Sequence, residues 1–135
     1  MREIKFRAYV KEYNKCFPVL TIWDNSVCLD LSKTDDLFDR KVFSRDKIKL
    51  MQYTGLKDIN GKELYEGDII KCKYNEMYCN ETEIGLVIWN NQLSAYSLDN
   101  GEIKPTLSCF NENKLEVIGN EYENPELLNC NIIGG

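Results

Sequence analysis

Six cysteines and no histidine bound the chemistry open to this 135-residue chain. The thiols are Cys16, Cys28, Cys72, Cys79, Cys109 and Cys130. A nucleophilic thiol needs a base to take its proton, most often an imidazole, and none exists here. A tetrahedral zinc site needs closely spaced ligand pairs. Cys72 and Cys79 are too far apart for one, and no second pair completes a set. Convergence of Cys28, Cys72 and Cys109 from separate strands is the metal arrangement that spacing leaves open. The N-terminal run Met1-Arg2-Glu3-Ile4-Lys5-Phe6 alternates charge and has no apolar stretch of the export type. The cysteines are therefore expected to be reduced, and most to be small core residues.

Carboxylates are the next group able to do chemistry. Asp58, Glu63, Glu66 and Asp68 lie close together around two turns, where their oxygens could hold a hard cation. Their spacing fits no calcium-loop pattern, and aspartate commonly closes turns by accepting backbone N–H bonds. The turn-closing role is the stronger expectation. The Asp35-Asp36 pair is a weaker candidate of the same kind. Gly55, Gly61, Gly67 and Gly85 are isolated, so no glycine-rich phosphate cradle opens a helix. Among the aromatic residues, Phe6, Phe17, Trp23, Tyr65 and Trp89 are expected in the core. Tyr9, Tyr74, Tyr78 and Tyr96, with Lys71 and Lys73, are the set that could form a stacking face for single-stranded nucleic acid. No catalytic, cofactor-binding or metal-binding residue is assigned, and no enzyme activity or cofactor is expected.

The elements that must position these residues are strands. Ile4, Phe6, Ala8 and Val10 alternate with Glu3, Lys5, Arg7 and Tyr9, giving one buried and one wet face. Strands follow at Cys16 to Trp23 and Val27 to Leu31. Residues 32–41 read as a loop with a helical turn around Asp36, Leu37 and Phe38, and as the seam between two lobes. Ile48 to Tyr53 is again a strand. Asn60-Gly61 predicts a hairpin turn with positive φ at both residues, and Glu66-Gly67-Asp68 predicts a second turn. Strands follow at Asp68 to Tyr74, at Ile84 to Trp89 (buried on both faces), at Gln92 to Leu98 and at Leu115 to Ile118. Gly85 marks a bulge or a close backbone crossing. Asn124-Pro125-Glu126 starts a short helix with asparagine as N-cap.

This pattern predicts an all-β, β-dominated fold: an N-terminal β lobe over residues 1–47, then an SH3-like barrel over residues 48–135, with a short C-terminal helix. Apolar residues make up 43% of the chain and the net charge is −5. The composition is therefore globular, and the charge disfavours nonspecific binding to nucleic acid. No apolar run is long enough to cross a bilayer as a helix.

Four segments resemble the YopX family of phage and prophage proteins. They are Arg2-Glu3-Ile4-Lys5-Phe6-Arg7-Ala8; Leu50-Met51-Gln52-Tyr53-Thr54-Gly55-Leu56-Lys57-Asp58; Asn60-Gly61-Lys62-Glu63-Leu64-Tyr65-Glu66-Gly67-Asp68-Ile69-Ile70; and Leu115-Glu116-Val117-Ile118-Gly119-Asn120 continuing to Leu128. They occur in order and span residue 2 to about residue 128, making one family-like domain of residues 1–135. The resemblance implies a β-rich fold and expression in a bacterial host cytoplasm. It supplies no catalytic residue. The expected function is a noncatalytic binding or assembly module whose β-surface meets a protein partner or a second copy. The rivals are a nucleic-acid-binding accessory protein and an acidic inhibitor of a host protein.

Overall fold

Period-2 alternation of apolar side chains builds most of the described strands. The computed structural model describes residues 3–34, 38–73, 82–101, 106–107 and 114–128. The chain divides into two units, Met1–Tyr53 and Thr54–Gly135.

In the first unit, β1 (Phe6–Val10), β2 (Lys15–Ile22), β3 (Ser26–Asp30) and β4 (Arg40–Ser44) run as successive antiparallel neighbours, and β5 (Ile48–Lys57) returns beside β1. The register is fixed by pairs such as Ala8 with Phe17, Ala8 with Leu50, and Val27 with Phe43. One face gathers Ala8, Val10, Phe17, Val27, Leu29, Leu31, Phe43 and Ile48 into a core. Tyr13 stands edge-on to Phe17 and Phe43, at centroid distances of 5.7 and 5.9 Å. A single turn of 3₁₀ helix, Arg45–Lys47, connects β4 to β5. These two strands are four places apart in the order β4-β3-β2-β1-β5. A flat sheet would separate them by about 19 Å, more than so short a link spans comfortably. The sheet must therefore curl, which is what lets a five-stranded unit enclose a core.

Several expectations change in this unit. Tyr9 is buried like Ala8 and Val10, so β1 is covered on both faces, while Ile4 lies outside the strand and is exposed. Met51 and Tyr53 are likewise buried opposite the Ile48 face. Trp23, expected in the core, is 49% exposed because β2 ends at Ile22 and the chain turns there. Of the helical turn expected around Asp36, Leu37 and Phe38, the first two residues lie outside the described ones, and Phe38 is exposed.

In the second unit, the end of β5 pairs with β6 (Glu63–Tyr65). A four-stranded antiparallel sheet then has the order β10-β7-β8-β9, with β7 at Asp68–Lys73, β8 at Thr82–Asn90, β9 at Ala95–Asp99 and β10 at Leu115–Asn120. Leu64, Ile70, Cys72, Val87, Leu98, Leu107 and Leu115 form its core. The SH3-like barrel expected here is not found: β9 and β10 are the two ends of an open sheet, with no ladder joining them among the described residues. Strand-and-turn rhythm cannot specify closure, which depends on pairing the first and last strands of a sheet. β8 is not uniformly buried either. Gly85 and Val87 are buried, Ile84, Leu86 and Ile88 are half-buried, and Trp89 is 44% exposed.

Gly85 does mark a close approach. A Cβ placed there would lie 2.6 Å from Leu98 Cγ and 3.3 Å from the Asp99 carbonyl oxygen. The C-terminal helix begins where expected, with residues 126–128 helical. Asn124, expected as its side-chain N-cap, instead turns its Oδ1 back to accept the Asn120 N–H at 3.2 Å, and its backbone carbonyl accepts from Leu127 N–H at 3.1 Å.

Candidate functional site

The acidic group around the two turns is built from the hairpin joining β5 to β6. Asp58 N–H donates to the Lys62 carbonyl at 2.8 Å, and Gly61 N–H donates to the Asp58 carbonyl at 3.0 Å. Gly61 has φ +80° while Asn60 stays at negative φ. The turn is therefore the three-residue kind, with glycine alone in the left-handed region. The expected two-residue turn, with both Asn60 and Gly61 left-handed, is not formed. Asp58 decides the choice by binding the loop from inside.

Asp58 is 4% exposed. Its Oδ1 accepts N–H bonds from Asn60 at 2.9 Å and Lys62 at 2.8 Å, and its Oδ2 accepts from Val117 at 3.0 Å. Burial alone would push the carboxyl up. The N–H donors of Val117, Lys62 and Asn60, with the Lys62 charge, outweigh it and hold the group below its ordinary value. Asp68, also buried, accepts Tyr65 N–H on Oδ2 at 2.8 Å across the second turn. Glu63 Oε1 receives the Tyr65 hydroxyl at 3.3 Å. The carboxylates of Asp58 and Asp68 thus point inward to backbone donors, and no cation site is assembled from this set. Glu121, whose N–H donates to the Gly67 carbonyl at 2.8 Å, is the residue that sequence reading passed over. Its burial, reinforced by the nearby Glu66 charge, raises its carboxyl above the usual range. Nothing in its local spacing signals this, because the turn that brings it to Gly67 depends on β10 pairing with β7.

The cysteines do not converge among the described residues. Cys28 is buried in β3, Cys72 is buried in β7, and Cys16 is half-buried in β2. Cys79, Cys109 and Cys130 lie outside the described residues, as do Asp35 and Asp36. Among the described residues no group of three or more cysteine, aspartate or glutamate side chains could hold a metal.

Among the described residues, the members of the expected stacking face are not exposed together. Tyr9 is buried in the first unit with its hydroxyl on Asn14 Oδ1 at 2.6 Å. Tyr96 packs edge-on against Trp89 in the second unit, at 5.0 Å between centroids. Lys71 is exposed on β7, paired in register with Glu116. Tyr74, Tyr78 and the Lys73 side chain lie outside the described residues.

What the first unit does expose is apolar strand surface. Leu20 and Ile22 on β2, Trp23 just beyond it, Phe38 before β4 and Val42 within β4 are all open to solvent. Among the described residues no helix is long and apolar enough to cross a membrane.

Comparison with known proteins places the chain in a family. The model of the YopX protein family matches residues 5–129, and the chain belongs to that family. Two solved structures share the fold. The crystal structure of protein EF1440 from Enterococcus faecalis has 22% identity and a TM-score of 0.64, covering 95% of this chain and 99% of that one. The structure of protein yopX from Bacillus subtilis has 19% identity and a TM-score of 0.59, covering 95% and 97%. No curated protein matches the chain.

Proposed function

We propose that this YopX-family chain is a noncatalytic binding module that presents strand surface to a protein partner. The reading includes phage or prophage origin and action in the cytoplasm of the bacterial host. The observation that carries it is the exposure of Leu20, Trp23, Phe38 and Val42, at 49, 49, 63 and 54%, in a unit with a well-filled core of its own. Large apolar side chains left exposed beside a core that does not use them favour protein contact. The internal use of the Asp58 and Asp68 carboxylates supports the same reading, because it removes the best candidates for acid–base or cation chemistry from the surface.

Affinity capture with the full chain as bait in bacterial cells, followed by mass spectrometry, tests this. The expected result is a protein recovered at fixed stoichiometry after nuclease treatment. Recovery of nucleic acid alone, lost with rising salt, would replace the reading with the accessory nucleic-acid-binding one.

A further inference from the structure

Sheet edges expose unpaired N–H and C=O groups, and stable proteins pair or cover them. Three edges in the second unit are dealt with in this way. β9 is met by Thr106, bridged to Ser97. β10 is met by the β5–β6 turn, where Ile59 N–H donates to the Leu115 carbonyl at 2.9 Å and Asp58 accepts from Val117 N–H at 3.0 Å. β6 is three residues long, and Asp68 takes the Tyr65 N–H.

The edge formed by β4 is different. Leu31 N–H donates to Asp39 O and Arg45 N–H to Asn25 O, which continue the register Arg40–Asp30, Val42–Cys28 and Ser44–Ser26. Antiparallel pairs alternate between bonded and non-bonded. Residues 39, 41, 43 and 45 therefore direct their backbone groups to β3, while Arg40, Val42 and Ser44 direct theirs outward. All three are exposed, and no ladder covers that side among the described residues.

Charge then selects what can pair there. Arg40 and Lys41 lie in the strand, and Arg45 and Lys47 follow in the 3₁₀ turn, against Asp39 and Asp46. Asp46 is engaged by the Ser44 hydroxyl, and Asp30 sits across the ladder from Arg40. The strand itself carries only positive charge in a chain of net charge −5. A second copy pairing antiparallel about Val42 would set Arg40 opposite Ser44 and Lys41 opposite Phe43, so the added strand would bring neither basic side chain an acidic partner. We propose that the outer edge of β4 receives an extended acidic peptide segment of a partner protein as an added antiparallel strand. Its backbone would bond Arg40 and Val42, its apolar side chains would lie on Val42 and the Arg40 stem, and its acidic side chains, on the other face of the strand, would meet Lys41. This is strand addition, in which main-chain bonds supply affinity and alternate side chains supply selection. The inference rests on the protein-binding reading above and names the strand that would carry it.

The test uses fluorescein-labelled peptides of about eight residues, the length of an ordinary strand, with alternating Glu and Val or alternating Lys and Val. Anisotropy is read against the full chain. The acidic peptide is expected to bind and the basic one not to bind. Val42→Pro removes a single outward N–H and leaves the bonds of Lys41 and Phe43 to β3 in place, so it should abolish binding while circular dichroism stays unchanged. Arg40→Glu with Lys41→Glu, both at exposed positions, should weaken the acidic peptide about tenfold and admit the basic one. Equal binding of both peptides, or binding untouched in the folded charge-reversal variant, overturns the proposal. So does a charge-reversal variant that merely aggregates while wild type binds neither peptide, because the lysine and arginines would then serve only to keep the edge unpaired. Capturing the same cellular partner with wild type and with Val42→Pro would reject the β4 edge but leave the binding-module reading standing. Capture of no protein by either would reject that reading itself.

Discussion

Asp58 should be the largest single polar contributor to the second unit, and its removal can be worked from the geometry. Asp58→Ala deletes the acceptor for three N–H groups, those of Asn60, Lys62 and Val117. A hydrogen bond to a charged group contributes about 1.5–3 kcal/mol. Asn60 and Lys62 are exposed and can turn to water once the carboxylate is gone, so their bonds should cost about 0.5–1 kcal/mol each. Val117 lies in β10 next to the core and keeps less access to water, so its share should be about 1.5–2 kcal/mol. The expected loss is about 3 kcal/mol, with Asp58→Asn, which keeps one acceptor oxygen, losing about half of it. Urea unfolding followed by Trp89 fluorescence in a Trp23→Phe background reads the second unit alone, since Trp23 is exposed and replaceable. The pH dependence gives a second check. The Asp58 carboxyl is held below its ordinary value of 3.8 in the folded chain. Its contribution should be fully present above that value and disappear as pH falls through the lower folded one. A loss below about 1 kcal/mol at neutral pH, or a wild-type advantage over Asp58→Asn that grows as pH falls, would refute this account.

Other predictions follow from single observations. Glu121 has its carboxyl raised by burial and by Glu66, so its linkage runs the opposite way. The stability it lends is present below 4.5 and is lost as pH rises through the folded value. Glu121→Gln should therefore stabilise the chain at neutral pH and have little effect in acid, as read by urea midpoints at two pH values. Gly85→Ala would drive a methyl into Leu98 and the Asp99 carbonyl and should lower stability by about 1–3 kcal/mol; thermal unfolding with no change in midpoint would show that Leu98 yields freely. Ser97 is fully buried, and among the described residues its hydroxyl has no hydrogen-bond partner, so Ser97→Ala should be neutral or stabilising by up to about 1 kcal/mol. A clear loss in the urea midpoint would reveal a hydroxyl partner in solution.

The strands could be read in the sequence wherever one face is buried, and this covers most of both sheets. Ala8, Val10, Phe17, Val27 and Leu29 sit where alternation and β-branching put them, because a one-residue slip would turn each apolar set outward. Three kinds of feature could not be read. Closure of a barrel from residue 48 onward was expected from rhythm alone, but rhythm carries no information about which strands meet. Trp23 and Trp89 were assigned to the core by residue type, yet each stands at a strand end where local burial falls away. The turn at Asn60-Gly61 was read as a dipeptide, whereas the aspartate two residues earlier imposes another turn type by accepting two of the loop's N–H groups. The candidate chemistry follows the same rule. The carboxylates were visible as a cluster, but their orientation toward backbone donors depends on Val117, 59 residues away in sequence.

The two polar inventories of the molecule serve different ends, and this bears on how such a chain can bind through a strand edge. Buried carboxylates take up N–H groups that the second unit's turns and edge would otherwise leave unbonded, at the cost of desolvating an acid. The same problem exists at β4, but its solution there is different. Arg40 and Val42 turn their N–H and C=O groups outward at exposed positions, and the charge of the strand is positive. Water satisfies such an edge well enough for the monomer to be stable, so no penalty forces it to pair. Main-chain bonds to Arg40 and Val42 therefore give net affinity for an added strand only together with the displacement of water over Val42 and the neutralisation of Lys41. Affinity should then respond to the charge and apolar content of the incoming segment much more than to its length. Lengthening the acidic peptide past the ends of β4 should gain almost nothing, whereas exchanging its central valine for alanine should weaken it severalfold.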